Sequence, residues 1–221
     1  MNFVLMFIEV LLSFIFILLF YKKYKEEGLY IISVILFILS IIFSLKNIEI
    51  MNLEIPLGII LPTVMLVVSN ILVQRNGLDA IKKLTCILSI TAIVIVTLLI
   101  LSSLIIPSNY LYNTNIEYHE LIKNNIRTII ATAITPLIVI WINSTMYYQL
   151  KREKNNVFIS NIFTALIISF IDAIIFSILV FASLIPLNEI FFIIAIVYVI
   201  KFIISLFGTL IVYKTKNIIT K

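Results

Sequence analysis

The chain has 221 residues, of which 62% are hydrophobic and only 12% are charged, and its formal net charge is +5. Soluble domains carry about half apolar and about a quarter charged residues, so this composition excludes an ordinary soluble protein and predicts a multi-pass membrane protein. The single cysteine, Cys86, excludes an intrachain disulfide framework and a thiolate zinc cluster.

Seven apolar stretches approach or exceed the length of about 20 residues that a membrane-spanning helix needs. In chain order they cover residues 3–20, 29–45, 57–74, 84–106, 128–148, 157–181 and 190–213. They lack the apolar–polar alternation of β-barrel strands and are about twice as long as such strands. The sequence therefore predicts an all-α transmembrane bundle with seven spans in the lipid bilayer.

The first stretch has no basic segment before it and no small-residue cleavage site after it. We therefore interpret it as a retained helix rather than a cleaved signal peptide. The predicted organisation is an N-terminal helix with a basic cytoplasmic loop over residues 1–27, followed by a six-helix membrane domain over residues 28–221.

Lysine and arginine concentrate in the segments that follow the first, third, fifth and seventh stretches. Because basic loops stay in the cytoplasm, this pattern predicts a protein of the cell membrane with its N-terminus outside and its C-terminus in the cytoplasm. The topology accounts for the basic residues, so no nucleic-acid partner is expected.

Ionisable side chains at membrane depth are costly, and we treat them as functional candidates. Asp172 and Lys201 lie near the middles of the last two stretches, at similar predicted depth, and Glu9 and Arg127 are the other two candidates. A neutralising pair is one interpretation of Asp172 and Lys201, and contact with a solute in a polar cavity is another. The two interpretations are compatible.

Polar side chains repeat at helical spacing on four of the predicted helices. The faces comprise Asn70 and Gln74, Thr132 and Asn143, Asn161 and Ser169 with Asp172, and Tyr198 with Lys201 and Ser205. Each face can line a cavity or hold helices together by hydrogen bonds. Trp141 can stack on a flat solute or belong to an interfacial aromatic belt. Pro62 and Pro136 predict interruptions of their helices.

Sequence motifs of common enzymes are missing from the chain. It contains no G-x-x-x-x-G-K-[ST], no H-E-x-x-H and no G-x-S-x-G, and its sole histidine, His119, falls in a predicted outer loop. We therefore expect no enzyme activity, no cofactor and no metal site.

Four segments carry a family resemblance: LPTVMLVVSNILVQRNGLDAIKKL with Gly77, Lys82 and Lys83; IRTIIATAITPLIVIWINSTMYYQLKRE with Arg127; NIFTALIISFIDAIIFSILVF with Asn161 and Asp172; and YVIKFIISLF with Tyr198 and Lys201. Together they resemble the VUT-type queuosine precursor transporters, which are similar in fold to the substrate-capture subunits of energy-coupling-factor transporters. The resemblance runs from about Gly28 to Lys216.

The resemblance implies import of a 7-deazapurine base or a related flat small solute, with an ATP-driven coupling module as a possible partner. The substrate-binding residues predicted from these motifs and from the polar faces above are Asp172, Asn70, Gln74, Asn143, Asn161, Lys201, Arg127, Tyr198 and Trp141. Asn70 and Gln74 replace acidic residues expected from the family, and Ile140 and Asn143 replace Gln and Asp. This loss predicts weaker binding of cationic aminomethyl precursors than of neutral ones.

The alternative is a diverged membrane scaffold or accessory protein that kept the fold without transporting a solute. A pocket bordered by Asp172, Asn70 and Asn143 would favour transport. Polar side chains bonded to one another without a void between them would favour the scaffold.

Overall fold

The computed structural model describes residues 2–105, 112–154 and 156–219. Its long helices are α1 (Asn2–Phe43), α2 (Ile60–Leu104), α3 (Tyr112–Lys154), α4 (Val157–Phe181) and α5 (Leu187–Ile219). Each of the five contains a segment long and apolar enough to cross a membrane. An all-α membrane bundle is therefore confirmed, whereas the prediction of seven separate spans is not, because five long apolar helices are found in the described residues.

Helix α1 contains one residue with non-helical backbone, Lys25, whose φ is 52° and ψ is −125°. Side chains from both arms of α1, among them Glu9 and Phe43, line the same cleft of about 350 Å³. In a continuous helix these two residues would lie about 50 Å apart. The chain therefore reverses direction at Lys25. Gly28 permits the tight approach of the arms, because a Cβ atom there would overlap the backbone oxygen of Phe20.

Helix α2 is interrupted in the same way at Gly77, whose φ is 67° and ψ is −156°. Its first arm, residues 60–76, runs parallel to α3, because Asn70 bonds to Asn143 and, one turn later, Gln74 bonds to Tyr147. Glycine suits the junction, since a positive φ carries no steric penalty without a Cβ atom.

The second arm of α2, residues 78–104, runs antiparallel to α3. Near its end, Ser102 Oγ lies 2.9 Å from Tyr118 Oη, and the Ser103 backbone oxygen lies 2.7 Å from His119 Nδ1, both close to the start of α3. Since the first arm runs parallel to α3 and the second antiparallel, the chain reverses direction at Gly77.

The two reversals lie side by side at one end of the bundle. Glu26 accepts a 2.9 Å hydrogen bond from Asn76 Nδ2 and lies 4.0 Å from the Arg75 guanidinium. The same guanidinium lies over the Tyr21 ring, 4.8 Å from its centroid. These contacts fasten the turn of α1 to the turn of α2.

A short β-hairpin joins α1 to α2, in a connection whose strands were not predicted from the sequence. Strands β1 (Asn47–Ile50) and β2 (Leu53–Pro56) pair antiparallel, and Met51 and Asn52 form the two-residue turn with φ values of 53° and 64°. A 3₁₀ turn, Leu57–Ile59, then leads into α2.

The predicted interruption at Pro62 is wrong. Helix α2 begins at Ile60, so Pro62 lies in its first turn, where the missing N–H group has no helical partner to lose. Pro136, in contrast, lies inside α3.

Candidate functional site

Polar side chains are buried between α2, α3, α4 and α5 at three levels along the bundle. On α3 the levels are marked by Thr132, Asn143 and Tyr147. At 1.5 Å per residue they are separated by roughly 16 and 6 Å. We name them the Asp172 layer (Thr132, Thr135, Asp172, Lys201), the asparagine layer (Ser69, Asn70, Asn143, Asn161, Thr209) and the Gln74–Tyr147 pair.

The Asp172 layer contains a buried ion pair. Lys201 Nζ lies 2.7 Å from Asp172 Oδ2, and the exposed fractions of the two side chains are 1% and 3%. Pairing neutralises two charges that would each be very costly alone in this interior. The first interpretation of these residues, mutual neutralisation, therefore describes their geometry.

A cavity of about 10 Å³ lies against this ion pair, between Thr132, Thr135 and Phe176. Within the described part of the chain, Asp172 Oδ1 and the hydroxyl oxygens of Thr132 and Thr135 are buried without a hydrogen-bond partner. Buried polar atoms are normally bonded, because leaving one unsatisfied costs about 1–3 kcal/mol. The cavity, which has room for about one water molecule, therefore offers three oxygen atoms to a small donor.

Two prolines also border this cavity. Pro62 lies at the beginning of α2 and Pro136 in the middle of α3. Because proline has no N–H group, the carbonyl of Thr132 lacks its usual intrahelical partner one turn before Pro136. The backbone of α3 is thus weakened where it meets the Asp172 layer.

The asparagine layer ties four helices together. Asn143 Nδ2 donates to Asn70 Oδ1 at 2.8 Å and to Ser69 Oγ at 3.0 Å. Asn70 Nδ2 donates to Asn161 Oδ1 at 2.6 Å, and Asn161 Nδ2 donates to Thr209 Oγ1 at 2.6 Å. These side chains face the interior, away from lipid, and they satisfy one another.

The Gln74–Tyr147 pair lies closest to the turns at Lys25 and Gly77. Gln74 Nε2 donates to Tyr147 Oη at 2.7 Å, and Tyr147 is completely buried. Lys151 Nζ lies 3.5 Å from the Gln74 backbone oxygen. This level closes the polar interior toward that end of the bundle.

Three residues expected at the site lie apart from these layers. Arg127 Nε donates to the Leu179 backbone oxygen at 2.6 Å. Tyr198 packs edge-to-face against Phe170, with ring centroids 5.7 Å apart. Trp141 is 40% exposed. The expectation that these three share one chamber with Asp172 does not match the geometry, because their helices turn them toward other surfaces.

Several contributors were not singled out as binding residues from the sequence: Ser69, Thr135, Tyr147, Phe176 and Thr209. Thr209 continues the four-residue spacing of Lys201 and Ser205, which was an available signal. The others are common residue types in apolar helices, and only the packing of neighbouring helices gives them a role. Within the described residues, no three His, Cys, Asp or Glu side chains come together as metal ligands.

No curated protein and no solved structure matches the chain. Residues 56–215, which hold all three polar layers and leave α1 outside, match the family described as "Putative vitamin uptake transporter". Because this match spans more than two thirds of the chain, the chain belongs to that family of multi-pass membrane proteins.

Proposed function

We propose that the chain is a transporter that imports a queuosine precursor, a 7-deazapurine base, or a related flat small solute. Family membership supports transport as the activity, in place of catalysis. The observation that carries the choice of site is the cavity beside Asp172, where three buried oxygen atoms have no partner among the described residues.

The chemistry of this site suits a flat solute with several N–H donors. A guanine-like edge presents adjacent donors, and Asp172 Oδ1 with the hydroxyls of Thr132 and Thr135 can accept from them. The Phe176 ring borders the same space and offers an apolar face. We propose Asp172 and Lys201 as solute contacts at this level. Because roughly 16 Å separates this level from the asparagine layer, we propose Asn70, Asn143, Asn161 and Gln74 as contacts that the solute makes at a different point along its path. Arg127, Tyr198 and Trp141 are left out of the proposed site.

Import requires the helices to part. Small-molecule sites measure about 300–1,000 Å³, whereas the cavity here measures about 10 Å³. We propose that α3 bends at Pro136, where its backbone hydrogen bonding is already broken. The amides of the asparagine layer would then exchange their mutual hydrogen bonds for bonds to the solute.

We further propose seven membrane crossings, with the N-terminus outside and the C-terminus in the cytoplasm. The reversals at Lys25 and Gly77 divide α1 and α2 into four arms, which together with α3, α4 and α5 make seven segments. Both turns are basic, since Lys22 and Lys23 precede one and Lys82 and Lys83 follow the other. Basic turns favour the cytoplasmic side.

The chain has no Walker motif of its own. Energy would therefore come from a coupling ion or from a partner ATP-driven module, unless transport only follows the solute gradient. The lipid bilayer and the solute are the other proposed partners.

A non-transporting membrane scaffold is the second candidate, and one observation favours it. The asparagine layer is bonded internally through Asn70, Asn143 and Asn161, and the void in the Asp172 layer is bordered by neither Asn70 nor Asn143 and holds no more than about one water. A bundle that never opens would have this arrangement.

Growth rescue separates the two candidates. We expect the chain to restore growth to a strain that requires a queuosine precursor and cannot take it up. Asp172→Ala should abolish the rescue, because it removes the proposed acceptor and leaves Lys201 unpaired. Asp79→Ala is the matched control, since Asp79 is exposed and, among the described residues, forms its ion pair with the exposed Lys82.

Membrane levels of each variant are measured in the same cells by immunoblotting. Wild-type protein that is present in the membrane without restoring growth contradicts the transport proposal and favours the scaffold. Equal rescue by Asp172→Ala and Asp79→Ala contradicts the proposed site.

A further inference from the structure

Three oxygen atoms around the cavity, Asp172 Oδ1 and the hydroxyls of Thr132 and Thr135, have no hydrogen-bond donor among the described residues. Asp172, Thr132 and Thr135 are 2%, 1% and 2% exposed, so bulk solvent does not reach them, and the cavity has room for only about one water molecule. A carboxylate oxygen can only accept, whereas the two hydroxyls can accept or donate. Any ligand seated against Asp172 Oδ1 must therefore present an N–H or O–H group, or carry positive charge.

The charge balance of the cavity decides between these possibilities. Asp172 and Lys201 are the two ionisable side chains among the described residues that line it, and they form a pair at 2.7 Å. Lys201 Nζ also lies 5.5 Å from the centroid of the Phe176 ring. The lining is thus neutral overall, and a cationic ligand would leave one uncompensated positive charge buried in the bundle. Such a charge is strongly disfavoured.

We infer that the cavity binds the donor edge of a neutral solute, and that the charge of Lys201 makes it discriminate against cationic ones. Thr132 and Thr135 are the acceptors that complete the subsite beside Asp172. Lys201 is a selectivity residue: it cancels the carboxylate charge that would otherwise attract a cation. This inference rests on the transport function proposed above and names the charge class of its solute.

Binding to the purified full-length protein tests the inference. The probes are radiolabelled 7-deazaguanine, which is neutral, and 7-aminomethyl-7-deazaguanine, which is cationic. We expect the wild type to bind the neutral probe more tightly. Lys201→Met should shift the ratio of the two Kd values toward the cationic probe by about tenfold or more, because a full charge a few ångströms away disappears. If Lys201 only stabilised the fold, replacing it would weaken binding of both probes alike and leave the ratio of their Kd values unchanged.

The threonines are tested by Thr132→Val and Thr135→Val, which keep the shape and remove the hydroxyl. Each should weaken binding of both probes by about 3–10-fold without changing their ratio. Thr145→Val is the matched control, since the Thr145 hydroxyl on the same helix bonds to the backbone oxygens of Trp141 and Ile142. Thermal unfolding in detergent checks that each variant is folded.

The outcomes separate this inference from the proposed function. If neither probe binds the folded wild type, import of 7-deazapurines is contradicted and the inference falls with it. If the probes bind but the wild type prefers the cation, or a folded Lys201→Met keeps the wild-type ratio, charge selection is overturned while transport stands. Should Lys201→Met not fold, the wild-type preference and the two valine variants decide, and unchanged affinity in both valine variants overturns the subsite.

Discussion

At the scale of single residues, Asn143 is the junction of the asparagine layer. Its one amide nitrogen serves both Asn70 Oδ1 and Ser69 Oγ, and its side chain is 2% exposed. Inside a membrane bundle there is little water to replace a lost donor. The contribution of this residue therefore depends more on the groups it would leave unsatisfied than on its own hydrogen bonds.

Asn143→Ala should lower the free energy of unfolding by about 1–3 kcal/mol, because two buried acceptors lose their donor. Thermal or denaturant unfolding of the purified protein in detergent measures the change. Asn125→Ala on the same helix is the control, since the Asn125 side chain bonds to the Leu121 backbone oxygen of its own helix and is partly exposed. If the two substitutions lower the free energy of unfolding equally, the hydrogen bonds of the asparagine layer add no stability beyond that of a bond within one helix.

The Asp172–Lys201 pair also contributes mainly through the group that would be left unpaired, and here that group is a charge. Removing one partner of a buried ion pair typically costs about 3–5 kcal/mol, because the other charge stays behind. Functional loss in a single variant at this pair can therefore reflect unfolding. For this reason the binding ratio and the hydroxyl-deleting valine variants, rather than simple loss of activity, are the decisive measurements at this layer.

At the scale of elements, the two reversals explain how helices of 42 and 45 residues fit a bilayer. A straight helix of that length would extend over 60 Å, twice the roughly 30 Å hydrocarbon thickness. At Lys25 and at Gly77, a single residue with positive φ interrupts the helix, and the chain reverses direction there. The same two turns contact each other through Glu26, which joins the halves of the fold.

Glycine is required at these turns for two different reasons. Gly28→Ala should lower the free energy of unfolding by about 1–3 kcal/mol, because the new Cβ atom would overlap the Phe20 backbone oxygen. Gly77→Ala has open space around it and should cost about 1–3 kcal/mol through its backbone conformation alone, since positive φ with extended ψ is essentially restricted to glycine.

Thermal unfolding of both variants beside the wild type checks this prediction. The Gly28 variant should also yield less folded protein, since its neighbour is backbone and cannot move aside. If Gly28→Ala unfolds at the same temperature as the wild type, that result contradicts the close approach of the two α1 arms at Gly28.

At the scale of the whole molecule, the number of crossings fixes which loops face outward. With seven crossings, the hairpin turn at Met51 and the turn near Asp79 lie on opposite sides of the membrane. Met51 is 79% exposed and Asp79 is also exposed, so both are accessible positions for a label.

Cysteine labelling in intact cells tests this topology. In a Cys86→Ser background, Met51→Cys should react with a membrane-impermeant maleimide, and Asp79→Cys should react only after the cells are permeabilised. Permeabilised cells provide the control that both cysteines are reactive. If α1 and α2 each crossed once, with the N-terminus outside, Met51→Cys would be protected, and that result would contradict the seven crossings.

Some features of the candidate site can be predicted from the pattern of residues in the sequence, and others cannot. Asp172 and Lys201 were found from the sequence because a charge in an apolar helix is rare and must be paired. Asn70, Asn143 and Asn161 were found because polar side chains recur at helical spacing on each of their three helices. That these three bond to each other, while Trp141 and Tyr198 lie elsewhere, follows from how the helices are rotated against one another, which spacing along one helix does not specify.

By itself the sequence determined the environment of this protein, because 62% hydrophobic residues in long unbroken runs are stable as helices in lipid and not in water. It also singled out Asp172, Lys201 and the three asparagines among the polar side chains that are buried between the helices. Only the tertiary structure decided that α1 and α2 turn back at Lys25 and Gly77, that a β-hairpin joins them, and that a void remains beside Asp172. The physical reason is that apolar helices look alike from every side, so their mutual rotation and contacts depend on close packing in three dimensions.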